Sequence, residues 1–127
     1  MPERRNVLLV DDDRNIAKAV GIRLRAAGYD VHSTYAGPEG VAAATASRPD
    51  AIILDVRMPG MSGLDVLEVL QSRPETCNIP VVMLSASLLD EDQAIGRGAE
   101  YFLQKPFDPQ KLCRAIERVL TQPRADA

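Results

Sequence analysis

Two short apolar runs in the sequence each stop on acidic residues. Val7–Val10 is followed directly by the triplet Asp11–Asp13, and Ala51–Leu54 is followed by Asp55. Carboxylates held close together repel one another and lose water, so each tends to take up a proton unless a cation neutralises the group. Mg²⁺ suits such a group, because it is usually held by one or two carboxylates with water and phosphate oxygens in its other positions. The pattern therefore predicts a site for Mg²⁺, or for the similar ion Mn²⁺.

The elements that must position these acids alternate along the chain between strand and helix patterns. The predicted strands are Val7–Val10, Val31–Thr34, Ala51–Leu54, Val81–Leu84 and Tyr101–Leu103. The predicted helices run from about Ile16 to Ala27, Pro38 to Ser47, Ser62 to before Pro74, Leu88 to Arg97 and Pro109 to Leu120. Parallel neighbours need crossover connections, so five such units predict an α/β sheet with helices on both faces. Ligands bind beyond the carboxyl ends of strands in such sheets, which is where the acidic runs lie.

Several polar residues have the signature of helix N-termini. Asp13 precedes the first helix, and Ser62 with Asp65 three positions later makes a capping box before the third. Asp108 followed by Pro109 begins the last helix. Asp13 is therefore interpreted as a cap, with its charge favoured by the helix dipole.

Two further residues, Ser85 and Lys105, follow predicted strands and belong to the same edge of the sheet. A carboxylate nucleophile, a divalent cation, a hydroxyl donor and an ammonium group together can place and neutralise a phosphoryl group. Each residue also has a structural explanation. An acidic run after a strand is often a solvated turn, and a lone serine or lysine at a strand end is common in proteins of any function. The prediction of a phosphoryl site therefore depends on all of these residues together.

Composition indicates one domain. The chain has 127 residues and 46% hydrophobic content, enough for a single core, and we expect the domain to span residues 1–121 with a tail or linker start at 122–127. A formal net charge of −3 argues against direct binding of nucleic acid. No apolar stretch is long enough to span a membrane and the N-terminus does not resemble a signal peptide, so we expect no membrane association and a cytoplasmic location. Cys77 and Cys113 are predicted to be free thiols and His32 to be structural or solvated.

The motifs of the chain carry a family resemblance. They are Val10–Asp13, Leu54–Gly63, Leu84–Ala86 and Gly98–Phe107. Together they resemble the receiver domain of two-component response regulators, including the chemotaxis regulators, over nearly the whole chain. The resemblance implies a flavodoxin-like, doubly wound, five-stranded parallel sheet of order 2-1-3-4-5 with five helices.

The resemblance also implies a role for each acid. Asp55 would be the phosphoacceptor. Asp12, Asp55 and the backbone carbonyl of Arg57 would ligate Mg²⁺, and Asp11 would contribute through a water molecule. Ser85 and Lys105 would bind the incoming phosphoryl oxygens.

Residues around this site have expected roles by the same resemblance. Ser85 and Phe102 would switch conformation after phosphorylation, although Phe102 has no hydroxyl group to donate. Pro59 and Gly63 would shape the loop after the acceptor, and the peptide bond before Pro106 would be cis.

Three features depart from the common pattern or vary within it. Arg57 and Ser87 occupy the two variable positions that tend to set the lifetime of the phosphorylated state. Tyr101 stands where an acidic residue is common. The segment from Ser85 to Lys105 is about two residues shorter than usual, which predicts a truncation of the fourth helix or of the loop before it, and a domain that stays monomeric.

The implied function is that of a signalling switch rather than an enzyme with a separate substrate. A sensor histidine kinase or histidine phosphotransfer protein would donate the phosphoryl group, and the domain would catalyse its own aspartyl phosphorylation and dephosphorylation. The altered face would then act on an output protein or domain that the sequence does not identify. Two alternatives remain open. A degenerate receiver would serve only for docking, but such domains usually lack one of the acids or the lysine. A Mg²⁺-dependent phosphohydrolase would use Asp11 and Asp13, but needs a Thr or Ser soon after that pair and a cap segment.

Overall fold

A computed structural model describes residues 4–121 as five strands and five helices in alternation. The strands are β1 (Asn6–Val10), β2 (Asp30–Thr34), β3 (Ala51–Asp55), β4 (Val81–Ser85) and β5 (Tyr101–Gln104). The helices are α1 (Arg14–Ala26), α2 (Gly37–Ser47), α3 (Gly63–Gln71), α4 (Glu91–Gly96) and α5 (Pro109–Thr121). The tail predicted for residues 122–127 lies outside the described residues. Within the described part, no helix is both long enough and apolar enough to cross a membrane.

The strands form one parallel sheet in the order β2-β1-β3-β4-β5, which confirms the predicted topology. Every residue of β3 and β4 is buried, as are the four apolar residues of β1. Near-continuous apolar runs are expected for parallel strands that are covered on both faces. The edge strand β2 instead alternates between exposed and partly buried positions, and only its last residue, Thr34, is buried.

Two apolar clusters, one on each face of the sheet, hold the helices in place. On one face Ile52 and Leu54 pack with residues of α2, α3 and α4, and on the other Ala51 and Ile53 pack with residues of α1 and α5. Successive residues of a strand point to opposite faces, so β3 contributes to both clusters. This packing fixes the strand ends in space, and with them the residues that follow each strand.

The predicted helix caps are confirmed. The Asp13 side chain accepts the backbone N–H groups of Asn15 and Ile16, and Ser62 with Asp65 forms a reciprocal capping box at α3. The Asp108 carboxylate accepts the Gln110 N–H at 2.9 Å. Each contact satisfies a donor that the first turn of a helix leaves without an intrahelical partner.

The helix predicted from Leu88 to Arg97 differs from the observed structure. A 3₁₀ turn covers Leu88–Asp90, and α4 has only six residues. Leu88 and Leu89 are 57% and 84% exposed, so no buried apolar contact holds this first turn in the α conformation. The Ser87 hydroxyl instead accepts the Leu89 N–H and caps the tighter turn. The short α4 agrees with the truncation predicted from the spacing.

Candidate functional site

The acidic residues meet because their strands are neighbours. In the parallel pairing of β1 with β3, Val10 lies opposite Leu54, so Asp11 and Asp55 emerge at the same level of adjacent strands. A hydrogen bond from the Asp11 N–H to the Thr34 carbonyl continues the backbone pairing to the edge of the sheet. The carboxyl ends of β4 and β5 bring Ser85 and Lys105 to this same edge.

Three carboxylates form a group that can hold a cation. Asp11, Asp12 and Asp55 each offer an oxygen, and these oxygens all lie within 4.8 Å of one another. Asp11 and Asp55 are 0% and 3% exposed, whereas Asp12 faces solvent. A set of hard oxygen donors that is buried on one side and open to water on the other fits Mg²⁺, which usually keeps several water ligands. Asp13 does not belong to the group, since its side chain caps α1.

Lys105 bridges the two buried acids. Its Nζ lies 3.1 Å from Oδ2 of Asp11 and 3.1 Å from Oδ1 of Asp55. The Lys105 N–H donates to the Ser85 carbonyl at 2.8 Å, and the peptide bond between Lys105 and Pro106 is cis. The second oxygen of Asp11 accepts the Asp13 N–H at 2.9 Å. Both oxygens of Asp11 are therefore engaged by the protein, which leaves Asp12 and Asp55 the more available acids.

Burial raises the pKa of Asp55 from 3.8 to about 7, and the neighbouring charge of Asp11 adds to this effect. Lys105 opposes the rise with its charge and its hydrogen bond, but does not cancel it. Burial alone would lower the pKa of Lys105, yet the charges of Asp11 and Asp55 raise it. The lysine therefore stays protonated. At neutral pH without a metal ion, Asp55 is divided between its protonated and ionised forms, and a bound cation would favour the ionised form.

The loop after β3 brings the start of α3 against the end of β3. The Gly63 N–H donates to the Val56 carbonyl at 2.8 Å, and a Cβ atom at Gly63 would overlap the backbone carbonyl of Asp55. Only glycine fits this approach. Gly60, directly after Pro59, has a φ of +73°, a value that also favours glycine. Pro59 and Gly63 are the residues predicted to shape this turn, and Gly60 is a further one that only its backbone angle reveals.

Asp90, a residue that no sequence motif indicates, contacts both Ser85 and Arg57. The hydroxyl of the fully buried Ser85 donates to Oδ2 of Asp90 at 2.6 Å and accepts the Ser87 N–H at 3.1 Å. Arg57 donates to the same carboxylate from Nε and Nη2, each at 2.9 Å. Asp90 lies 33 positions after Arg57, and no spacing in the sequence indicates that they pair.

Asp90 is buried and remains ionised in this arrangement. The hydrogen bonds from Arg57 hold the pKa of Asp90 below its ordinary value, although burial acts in the opposite direction. A two-pronged contact between a guanidinium and a carboxylate also fixes the orientation of the carboxylate plane. Asp90, the hydrogen-bond acceptor of the Ser85 hydroxyl, is thus both charged and rigidly placed.

Phe102 lies on the same face of the sheet as Ser85. It pairs with Met83 across β4 and β5, two residues before Ser85, and packs partly buried against the cluster that contains Met83 and Ala94. Tyr101, one position earlier, packs into the cluster on the opposite face. The two aromatic side chains therefore contact different layers of the domain.

The remaining candidates lie apart from this site. Cys77 and Cys113 are free thiols. His32 lies on the edge strand β2 opposite Leu8, and among residues 4–121 it joins no group of metal-binding side chains.

The chain is similar to known proteins both in sequence and in three-dimensional structure. A family model, the response regulator receiver domain, matches residues 7–117. The DNA-binding dual master transcriptional regulator RpaA of Synechocystis is 37% identical over 116 residues, which cover 90% of this chain and 48% of that protein. The chemotaxis protein CheY4 of Vibrio cholerae superposes with a TM-score of 0.87 at 34% identity, covering 93% of this chain and 100% of that one.

A third similar protein has been solved with a metal ion bound. The receiver domain of the sensor histidine kinase PA1611 from Pseudomonas aeruginosa superposes with a TM-score of 0.88 at 27% identity, covering 94% of this chain and all of that one (100%). That structure has a magnesium ion coordinated in its active site cleft.

Proposed function

Because the chain belongs to the response regulator receiver domain family, we propose that it accepts a phosphoryl group on Asp55 within a two-component signalling system. One observation carries the assignment of the acceptor. Asp55 is buried at the carboxyl end of β3, within reach of two other carboxylates, and its Oδ1 accepts a hydrogen bond from Lys105. Asp11 shares the burial, the carboxylate group and the Lys105 contact, but its other oxygen already accepts the Asp13 N–H, so Asp55 is the more available nucleophile of the two.

The proposed metal ligands follow from the same group. Asp12, Asp55 and the backbone carbonyl of Arg57 would hold Mg²⁺ directly, and Asp11 would act through a water molecule. The ion would supply positive charge beside the acceptor and neutralise oxygens of the incoming phosphoryl group. The solvent-facing position of Asp12 and the two protein contacts of Asp11 support this division of roles.

The transfer itself needs an ionised, well-placed nucleophile. In the proposed reaction an oxygen of Asp55 forms a bond to phosphorus while the bond between phosphorus and a histidine nitrogen of the donor breaks. The leaving nitrogen keeps the electron pair and takes up a proton. Lys105 already lies at hydrogen-bond distance from Asp55 and would neutralise charge on the phosphoryl oxygens, which is the main contribution a protein makes to phosphoryl transfer.

Phosphorylation would then change the conformations of Ser85 and Phe102. A phosphoryl oxygen at Asp55 would attract the Ser85 hydroxyl, and Phe102, on the same face of the sheet, would move into the space released. These movements would alter the surface formed by α4, β5 and α5. Such a change is a population shift between two arrangements that differ in their affinity for a partner.

The proposed donor is a sensor histidine kinase or a histidine phosphotransfer protein. The proposed output of the switch is argued from the curated relatives. The chain spans about half the length of the curated relatives it matches, and these are DNA-binding regulators. We propose that the output is a DNA-binding part supplied by a further domain or another protein, since this domain, with a net charge of −3, is poorly suited to bind DNA itself.

Labelling by a small phosphodonor tests the acceptor. Incubation with acetyl phosphate and Mg²⁺ should add one phosphoryl group, and Asp55→Asn should abolish it in an intact-mass measurement. The matched control is Asp13→Asn, because asparagine also caps helices and Asp13 lies outside the carboxylate group. Labelling of the Asp55→Asn variant would reassign the acceptor. Loss of labelling in Asp13→Asn would favour the phosphohydrolase alternative, and an unlabelled wild type would favour a docking-only receiver.

A further inference from the structure

A single carboxylate, Asp90, engages two residues next to the acceptor. It accepts the Ser85 hydroxyl at 2.6 Å and the Arg57 guanidinium at 2.9 Å through two nitrogens. Asp90 ends the 3₁₀ turn and directly precedes α4. It therefore connects the edge of the site to the beginning of α4.

The Ser85 hydroxyl has one proton to donate. The hydroxyl can donate a hydrogen bond either to Asp90 or to a phosphoryl oxygen on Asp55, but not to both at once. The bond to Asp90 is short, buried and made to a charged acceptor, which places it among the stronger hydrogen bonds of proteins. Asp90 is thus an internal competitor of the phosphoryl group.

Arg57 makes this competition stronger. Its two hydrogen bonds orient the carboxylate of Asp90 toward Ser85 and stabilise the ionised form, which accepts the hydrogen bond of the Ser85 hydroxyl. The Arg57 side chain is 65% exposed, while the Asp90 side chain is 8% exposed. Arg57 would therefore act from the surface on a carboxylate that is already buried.

We propose that Asp90 is a positioning residue that holds Ser85 away from the acceptor in the unphosphorylated protein and so limits the rate at which Asp55 is phosphorylated. We name Asp90, with its contacts to Ser85 and Arg57, the Asp90 latch. The inference rests on the proposed function of Asp55. It also links the site to α4, because a Ser85 hydroxyl that donates its hydrogen bond to a phosphoryl oxygen no longer contacts Asp90, which then keeps only its contact with Arg57.

The test compares initial rates of labelling by acetyl phosphate and Mg²⁺. Asp90→Ala removes the competing acceptor and should label about threefold to tenfold faster than the wild type, the range expected for loss of one net hydrogen bond. Asp92→Ala is the matched control. It deletes the same charge from an exposed position in the first turn of α4 and should label at the wild-type rate.

A second variant and a second background separate the latch from a general loosening of α4. Asp90→Asn keeps the size of the side chain but weakens both contacts, and should give a smaller acceleration. If the latch acts through Ser85, adding Asp90→Ala to a Ser85→Ala protein should give no further acceleration. Circular dichroism checks that each variant is folded.

The outcomes are distinct. Wild-type rates for both Asp90→Ala and Asp90→Asn, equal acceleration by Asp92→Ala, or acceleration that persists without the Ser85 hydroxyl would each overturn the latch while leaving Asp55 as the acceptor. A wild-type protein that acetyl phosphate does not label at all would overturn the proposed function, and the latch with it.

Discussion

Lys105 and Asp55 are 50 positions apart in the chain, yet the lysine Nζ lies 3.1 Å from Oδ1 of the aspartate. The lysine side chain is only 17% exposed, and its Nζ lies at the same distance from Asp11. One partly buried cation is thus shared between two buried acids, which leaves the group with excess negative charge. The first prediction follows from this imbalance.

Stability in metal-free buffer should fall as the pH rises from about 4 to about 7. The pKa of Asp55 is about 7 in the folded protein against an ordinary value of 3.8, so the folded state binds the proton more tightly than the unfolded state. A raised pKa gives stability that is present below the ordinary value and is lost as the pH passes through the folded value. Above about pH 7 this contribution should level off.

Urea unfolding of the wild type and of Asp55→Asn isolates this effect, since the other titrating groups are shared. The free energy of unfolding of the asparagine variant should rise relative to that of the wild type by about 1–3 kcal/mol between pH 4.5 and 8. Saturating Mg²⁺ should reduce the difference, because it binds the ionised form of the wild-type site. A difference that is constant across this pH range would contradict the buried, raised-pKa acceptor.

Asp12→Asn should weaken Mg²⁺ binding without unfolding the protein. Asp12 is exposed and its carboxylate belongs to the oxygen group, so its loss removes a charged ligand but little packing. We expect at least a tenfold loss of affinity by isothermal titration calorimetry, and for Asp11→Asn, acting through water, about tenfold. Asp13→Asn should bind Mg²⁺ like the wild type. Wild-type affinity in Asp12→Asn would place the ion elsewhere.

Ser85→Ala and Phe102→Ala should separate labelling from signalling. Both variants should still be labelled at Asp55, but lose the phosphorylation-dependent gain in affinity for an output partner. Couplings between linked sites correspond to about 5-fold to 150-fold in affinity, which sets the size of the expected loss. Tyr101→Ala is a suitable control, because its ring packs on the opposite face of the sheet. Variants that retain the full gain would exclude this pathway.

The domain should remain monomeric in solution with and without beryllofluoride, a phosphoryl mimic. Leu88, Leu89 and Ile95 are exposed near α4, but that helix has only six residues, and specific interfaces usually bury about 1,200–2,000 Å². Light scattering at micromolar concentration measures the mass directly. A dimer that forms with beryllofluoride and is broken by Leu89→Glu would show that the exposed leucines do form an interface.

Much of the fold could be predicted because its signals are local. Two apolar runs of four residues that end in carboxylates mark strands whose ends meet at one edge, and the caps at Asp13, Ser62 and Asp108 mark where helices begin. Side-chain period and capping chemistry depend on a few neighbouring residues, so the sequence contains them directly. The strand order came from the family resemblance and is confirmed by the structure.

The sequence by itself determined which acids, hydroxyl and lysine are present and at which strand ends they lie. Only the tertiary structure decided how they are paired. The contacts of Asp90 with Ser85 and Arg57, the 3₁₀ turn at Leu88–Asp90 and the raised pKa of Asp55 depend on the path of two loops and on how much water the packed sheet excludes. A side chain's partners and its solvation are properties of distant residues brought together, and no local pattern encodes them.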